Sequence, residues 1–250
     1  MTRMHFISSR TQIAQDARAT LIARYGQVPL AQAQVIVALG GDGLMLDTMH
    51  QNRNLPIYGM NRGTVGFLMN EYAEDDLPAR IAAAEETVTN PLSMVACSVD
   101  GHEHCALAIN EVSLLRAGAQ AAKLRISVNG RVRMDELTCD GALLSTAAGS
   151  TAYNYSAGGP ILPLGSDVLA LTAIAAFRPR RWRGAILPKG AQVRFDVLEP
   201  EKRPVMADAD SREVRSVLWV EIKSEASIAH RLLFDPDHGL DERLMREQFT

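Results

Sequence analysis

Cysteine is scarce: the 250-residue chain has 3, an odd number with no paired spacing. That excludes a disulfide framework and points to a reducing compartment. An excess of one charge is also missing. The 26 Lys and Arg face 29 Asp and Glu, a net charge of -3. Such a balance gives no general polyanion-binding surface and argues against bulk nucleic-acid binding. No apolar run is long enough to span a bilayer, and Met1-Thr2-Arg3-Met4-His5 leads into structure without a signal-peptide core. The expectation is a soluble, cytoplasmic protein with no membrane partner.

Two nucleotide-binding signatures are missing as well. No G-x-x-x-x-G-K-[ST] string occurs, which disfavours a P-loop fold. Gly41-Asp42-Gly43-Leu44-Met45-Leu46 begins like a dinucleotide fingerprint but lacks its last glycine. The following strand ends at Asn61-Arg62 rather than at the expected acid.

What is present falls into two halves. A hydrophobic content of 47% is enough for a substantial core, and the length suits one large domain or two modest ones. Strand runs at His5–Ser9, Gln34–Leu39 and Leu55–Met60 alternate with helical segments. Thr11–Tyr25 reads as a helix with Ile13, Ala17, Leu21 and Ile22 on one face and Gly26 as its stop. A second helix starts at Leu44, and a third is capped by Asp75-Asp76 and runs through Ala84. This alternation predicts an α/β domain, a doubly wound parallel sheet over residues 1–92. From Pro91 the period becomes two. Lys123–Met134 alternates around Asn129-Gly130, a type I′ hairpin signal. Strand-like runs recur at Ala185–Leu187, Gln192–Leu198, Arg215–Lys223 and Ser227–Phe234. A mostly β domain over residues 93–234 is expected, built as a sandwich or layered sheet. Asp241–Gln248 reads as a terminal helix.

Three stretches carry chemistry. Gly40-Gly41-Asp42-Gly43 follows the apolar run Val35–Leu39 with no spacer. It puts a carboxylate in a glycine turn at the C-terminal end of a buried strand, where open α/β sheets bind ligands. Glycines let a phosphate approach backbone N–H groups. An Asp there would repel that phosphate, unless it holds a metal or takes a proton from an acceptor. A plain acidic strand-to-helix turn is about as good a reading of the four residues alone. The second stretch runs from Asp140 to Pro160 and is rich in small and hydroxyl residues. Ser150 or Thr151 can cap a short helix that Gly158-Gly159 ends. Such a loop lets a flat ligand or an anion reach the backbone, and Tyr153 adds a ring and a hydroxyl. The third is Asn110-Glu111, whose amide and carboxylate suit ribose hydroxyls. Cys97, His102 and His104 could share one face of a hairpin and hold zinc, but an accidental strand pattern fits better.

Together and in this order, these segments resemble the NAD kinase family. The resemblance also takes in Gly59–Leu68 and the closing Phe234-Asp235-Pro236. It implies an enzyme that phosphorylates the adenosine-ribose 2′-hydroxyl of NAD to give NADP. The donor would be ATP or polyphosphate, with a divalent cation such as Mg²⁺ held mainly through phosphates rather than by a protein metal site. Asp42 would be the general base. Gly43 would lie against the substrate, and Gly40 and Gly41 near the donor phosphates. Asn110, Glu111, Asp140, Ala148, Thr151, Ala152, Tyr153, Asn154, Tyr155 and Ser156 match positions that hold NAD, Asp140 often from a neighbouring subunit. Asp210 is the best match to a late Asp-Gly element. The resemblance further implies a homodimer or homotetramer, an active site between the domains, and residues 235–250 returning to the first domain. Leu44 stands where a Thr is usual, and Thr138 where a basic residue is common. Arg178–Arg183 is unusually basic and reads first as a solvated loop. A different kinase acting on a lipid or sugar, or a non-catalytic NAD(P)-binding sensor, are the competing readings.

Overall fold

An unbroken apolar run such as Val35–Leu39 has to be covered on both faces, and it becomes the wholly buried strand β2, Val35–Gly40. The computed structural model describes residues 2–52, 54–63 and 66–236. The expected terminal helix Asp241–Gln248, and Thr64 and Val65 of the second glycine loop, lie outside the described residues.

The chain divides into two units, one running to Thr89 and resuming at Ile228, the other Asn90–Ser227. In the first unit, β1 (Met4–Ser8), β2 and β3 (Ile57–Asn61) pair in parallel. Helix α1 (Gln12–Tyr25) follows β1 and ends at Gly26, whose φ is 78°. Its buried stripe is Ala14, Ala17 and Leu21. Ile13, expected in the core, is 57% exposed. The stripe keeps helical spacing from Ala14, and Ile13 falls one position off it.

Helix α2, Asp42–Gln51, starts two residues earlier than expected, with Gly41 as its N-cap. Asp42 therefore sits in the first helical turn, where a carboxylate complements the helix dipole. Helix α3 spans Leu77–Ala83 behind Asp76, which adopts φ 53° and makes no side-chain cap. An antiparallel edge strand, β4 (Glu85–Thr89), completes the outgoing chain.

The second unit begins with β5 (Leu92–Ser98), β6 (Glu103–Ala108), β7 (Glu111–Arg116), β8 (Ala122–Val128), β9 (Arg131–Cys139) and β10 (Gly141–Ser145). A turn of 3-10 helix, Ala148–Thr151, and the one-turn helix α4, Tyr153–Ser156, follow. The unit ends with β11 (Val168–Ile174), β12 (Gly184–Pro188), β13 (Val193–Val197), β14 (Val205–Ala209), β15 (Arg212–Val214) and β16 (Val217–Ser224). They form two six-stranded antiparallel sheets, β12-β11-β10-β7-β14-β15 and β6-β5-β16-β13-β8-β9. One core joins them, with Val112, Leu114, Leu144 and Ala207 from the first sheet and Leu124, Ile126, Phe195 and Val220 from the second. Asn129 and Gly130, at φ 52° and 73°, make the expected hairpin between β8 and β9.

The last strand, β17 (His230–Phe234), departs from the sequence reading, which placed it in the β half. It lies between β3 and β4 in the first sheet, order β1-β2-β3-β17-β4. The return thus starts at Ile228 rather than at residue 235. The outgoing boundary, expected at residue 92, falls at Thr89. Short apolar strands look alike in sequence, and only pairing assigns them to a sheet.

The return is locked by a polar cluster. Tyr58 Oη donates to Asp235 Oδ1 at 2.5 Å, and Arg80 Nη2 donates to Oδ2 at 2.5 Å. Asp235 N–H donates to Asn70 Oδ1, and Asn70 Nδ2 donates to Leu233 O, both at 2.9 Å. Burial, reinforced by the Asp235 hydrogen bond, pushes the Tyr58 hydroxyl above its ordinary pKa. Replacing Asp235 with Ala strands a buried phenol and a partly exposed guanidinium, at a cost of about 2 kcal/mol. Urea unfolding should show a lower midpoint with unchanged slope; an unmoved midpoint would mean that the cluster does not hold the strand.

Candidate functional site

The first-unit loop is built around Asp42. Its Oδ2 accepts the N–H of Phe67 at 2.9 Å, and its Oδ1 that of Leu68 at 3.0 Å. The carboxylate is thus fixed in direction by the chain that follows the second glycine loop. Arg62 N–H donates to Gly40 O at 2.7 Å, and its guanidinium stacks on the Tyr72 ring. These contacts tie the two glycine loops together within one unit.

The glycines here differ in purpose. A Cβ on Gly40 would meet Leu44 Cδ2 at 2.9 Å, so packing keeps that residue small. A Cβ on Gly41 or Gly43 would meet none of the described residues within 4 Å. Gly41 has φ -130°, which any residue adopts. Among the described residues no packing demands either glycine. Their smallness leaves the backbone N–H groups at the start of α2 open to a ligand.

In the second unit, Asn110 sits at the turn between β6 and β7, and Glu111 opens β7. Several groups hold that turn. Thr146 Oγ1 donates to Ile109 O at 2.7 Å, and Thr146 N–H to Asn110 O at 2.9 Å. Gly149 packs so closely that a Cβ on it would lie 2.2 Å from Asn110 O. A Glu111 oxygen accepts the backbone N–H of Tyr153. Glu111 Oε2 is buried without a hydrogen-bond partner. Burial above all, then the charges of Asp210 and Asp208, push the Glu111 carboxyl up to about 8. It is therefore protonated at neutral pH, and can donate a hydrogen bond to a ligand oxygen.

Asp140 and Tyr153 line one cavity of about 840 Å³ together with Arg116, Ile174, Met206 and Arg215. Arg116 Nε holds Asp140 Oδ1 at 2.5 Å. Arg116 and Arg215 carry no local sequence signal. Arg116 meets Asp140 only because β7 pairs with β10, 24 positions on.

The remaining expected residues divide by burial. Ala148 is buried, and Thr151 and Ala152 are half-buried. Asn154 is fully buried: its Nδ2 donates to Ser150 O and Pro160 O, and its Oδ1 accepts the Thr172 hydroxyl. Its side chain holds the loop in place. Tyr155 and Ser156 are exposed and take no part in lining the cavity. Ser150 and Thr151, expected as helix caps, cap nothing: Ala152 precedes α4, and Ser150 Oγ donates to Ala147 O at 2.7 Å. Ser150 faces inward because Leu162 N–H needs an acceptor there. Asp210 accepts the N–H groups of Ile109 and Asn110.

The zinc idea finds no support. His102 Nδ1 pairs with Asp100 Oδ2 at 2.9 Å, and His104 Nε2 lies 3.2 Å from Ser98 Oγ. No group of three metal-ligating side chains occurs among the described residues, and none of their helices is long and apolar enough to cross a membrane. The basic loop reaches Thr138 through backbone alone, Thr138 N–H donating to Arg178 O at 2.8 Å.

The seating of Gly149 is directly testable. Gly149→Ala forces Asn110 and the loop apart and should cost about 2 kcal/mol, within the range of overpacking substitutions. A thermal melt should shift down by several degrees; an unchanged melt would show that the loop is not packed on Asn110.

Comparison with known proteins agrees with this arrangement. Residues 6–87 match the ATP-NAD kinase N-terminal domain, and residues 109–225 the ATP-NAD kinase C-terminal domain. A curated NAD kinase of Cereibacter sphaeroides is 66% identical over 250 residues, covering 99% of this chain and 98% of its own. One from Caulobacter vibrioides is 58% identical over 252 residues, covering 100% and 97%. Among solved structures, yeast NADH kinase complexed with NADH superposes with a TM-score of 0.85 at 19% identity, covering 100% of this chain and 87% of that one. An Archaeoglobus fulgidus NAD kinase in complex with ATP gives 0.76 at 22% identity, covering 99% and 97%. The two domain matches take in most of the chain and curated NAD kinases match it over nearly its full length, so this chain belongs to the NAD kinase family.

Proposed function

We propose that this chain transfers a phosphoryl group from ATP to the adenosine-ribose 2′-hydroxyl of NAD, giving NADP. The observation that carries the reading is the carboxylate of Asp42, fixed in direction between Gly41 and Gly43, on which no described residue packs. Phosphoryl transfer is mostly positioning and charge neutralisation. Asp42 takes the proton from the attacking hydroxyl, or aims that hydroxyl for in-line attack. The N–H groups of Phe67 and Leu68 keep its oxygens in direction without neutralising their charge. Gly43 gives way to the substrate, and Gly40 and Gly41 to the donor phosphates.

Asn110 and Glu111 hold NAD hydroxyls, one with an amide and the other with a buried acid able to donate. Asp140 and Tyr153 contribute from the cavity wall. Ala148, Thr151 and Ala152 offer the backbone of a small-residue loop to the nucleotide. Asn154 acts through that loop rather than by contact. Tyr155 and Ser156, expected to hold NAD, are exposed on α4. ATP as donor is supported by the family's description and by the Archaeoglobus fulgidus complex. The divalent cation would be held mainly by the donor phosphates, where it would supply charge neutralisation. A homodimer or homotetramer is part of the same reading. The edge strand β12, with Ile186 outermost, offers an open margin for a second copy. A lipid or sugar kinase and a pure sensor are disfavoured by full-length relatives named NAD kinases.

Asp42→Asn should reduce kcat by a factor of about 100 or more, the range for loss of a positioned general base. NAD affinity should stay within about threefold, since one side-chain oxygen remains to accept a backbone N–H. Steady-state NADP formation and calorimetric NAD titration read the two separately. Near-normal turnover would remove Asp42 from the chemistry.

A further inference from the structure

The hairpin between β14 and β15 breaks a local rule. Ala209 pairs with Arg212, leaving a two-residue loop, Asp210-Ser211. Both residues have positive φ, 46° and 83°. Such a turn asks for Asn-Gly or Asp-Gly, and the β8–β9 hairpin supplies Asn129-Gly130. Asp210 suits the first position; Ser211 stands where glycine is preferred, so the tip is strained at one residue and kept in place by other contacts.

The requirement lies on the neighbouring strand. β14 pairs antiparallel with β7, Ala209 opposite Val112. The hairpin tip therefore reaches the turn that precedes β7. Asp210 Oδ2 accepts the N–H of Ile109, and Oδ1 that of Asn110 at 3.1 Å. The two carboxylate oxygens thus grip two successive amides. Thr146 holds the carbonyls of the same two residues from the other side. Asp208 steadies the tip by accepting the Ser211 N–H at 2.7 Å. We propose that Asp210 is a positioning residue for NAD binding, which fixes the Asn110-Glu111 turn by clamping its backbone from the β14–β15 hairpin. The proposal rests on the reading of Asn110 and Glu111 as NAD-holding residues.

A second effect follows from the same placement. The titratable groups facing Glu111 are Asp208 and Asp210 from the hairpin and Tyr153 from α4. After burial itself, the charge of Asp210 does most to keep Glu111 protonated. The sign is definite. Below about 8 the Glu111 carboxyl is neutral. Above that value it becomes a further negative charge in an acidic cluster, facing an anionic dinucleotide, and NAD binding weakens.

Two variants test the clamp. Asp210→Gly suits the turn's positive φ and removes both acceptors. Asp210→Asn keeps the shape but offers one acceptor and sets an amide against the other N–H. Glycine suits the positive φ and partly offsets the two lost hydrogen bonds, so the expected melting temperature of Asp210→Gly lies a few degrees below that of the parent. The expected KM for NAD rises in the order parent, Asp210→Asn, Asp210→Gly, by about tenfold at the end of the series, the usual effect of a lost outer-shell contact. kcat should change by less than about threefold, because the loss is in binding. Hydrogen exchange at Ile109 and Asn110 should speed up in both variants, whether or not NAD is present. In the parent, KM should climb as pH passes about 8. In Asp210→Asn that climb should begin at lower pH, by about one unit.

A folded Asp210→Gly protein with parental KM and unchanged exchange at Ile109 and Asn110 overturns the proposal. If that variant fails to fold, Asp210→Asn decides: an unmoved pH profile and unchanged exchange overturn it equally. A parent protein that forms no NADP defeats the kinase reading instead, while the exchange measurement still decides whether the clamp exists.

Discussion

The pairing of Thr89 with His230 constrains everything else in this chain. It is the end rung of the ladder between β4 and β17, and the whole second unit lies in sequence between those two residues. The second unit closes its own ends in the same way: Leu92 pairs with Ser224, and Glu225 N–H donates to Pro91 O at 2.8 Å. Each unit therefore gathers its two chain crossings side by side. β17 has to be present for the first sheet to be continuous, because β4 reaches β3 only through it. The sheet can be finished only after the last residues of the second unit have left the chain path, which gives its final pairing a high contact order. The polar cluster at Asp235, fixed to Tyr58, Asn70 and Arg80, stands just beyond that strand and supplies directional bonds where a five-residue strand alone is weakly specified.

Local chemistry was legible wherever a residue answers to its own neighbours. Gly26 ends α1 with positive φ, and Asn129-Gly130 makes the predicted hairpin. The alternation from Pro91 onward became two antiparallel sheets, because period two is a property of the strand itself. The candidate loops were equally legible, since glycine clusters and a lone Asp stand out without a fold. Other features were not legible because they depend on partners far along the chain. Nothing local assigns β17 to the first sheet, and nothing local joins Arg116 to Asp140. The core stripe of α1 was misread by one position for the same reason: Ile13 is the more hydrophobic residue, but Ala14 is the one that faces the sheet. Asn154 reads as a ligand-facing amide until Thr172, 18 residues away, is seen to hold it.

Two hairpins whose two-residue loops have positive φ at both positions can be compared within one molecule. Asn129-Gly130 obeys the turn's preferences throughout. Asp210-Ser211 departs from them at Ser211 and places a carboxylate on the amides of Ile109 and Asn110. Local rules fail where another demand outweighs them, so such a failure is itself a pointer to a site. Gly149 makes the same point from the opposite direction. Its missing side chain is filled by the Asn110 backbone, and any larger residue would push that turn away from its clamp.

The same reasoning separates the glycines of the first unit. Gly40 and Gly66 have Leu44, Met69 and Asp42 close against them, so packing already accounts for their identity. No described residue presses on Gly41 or Gly43. Gly43 is the second residue of α2, in the first turn, where the N–H groups have no partner within the helix. A residue without a side chain there, beside a carboxylate of fixed direction, leaves those N–H groups accessible. In the proposed reaction the nucleotide meets the backbone at that point and Asp42 faces it.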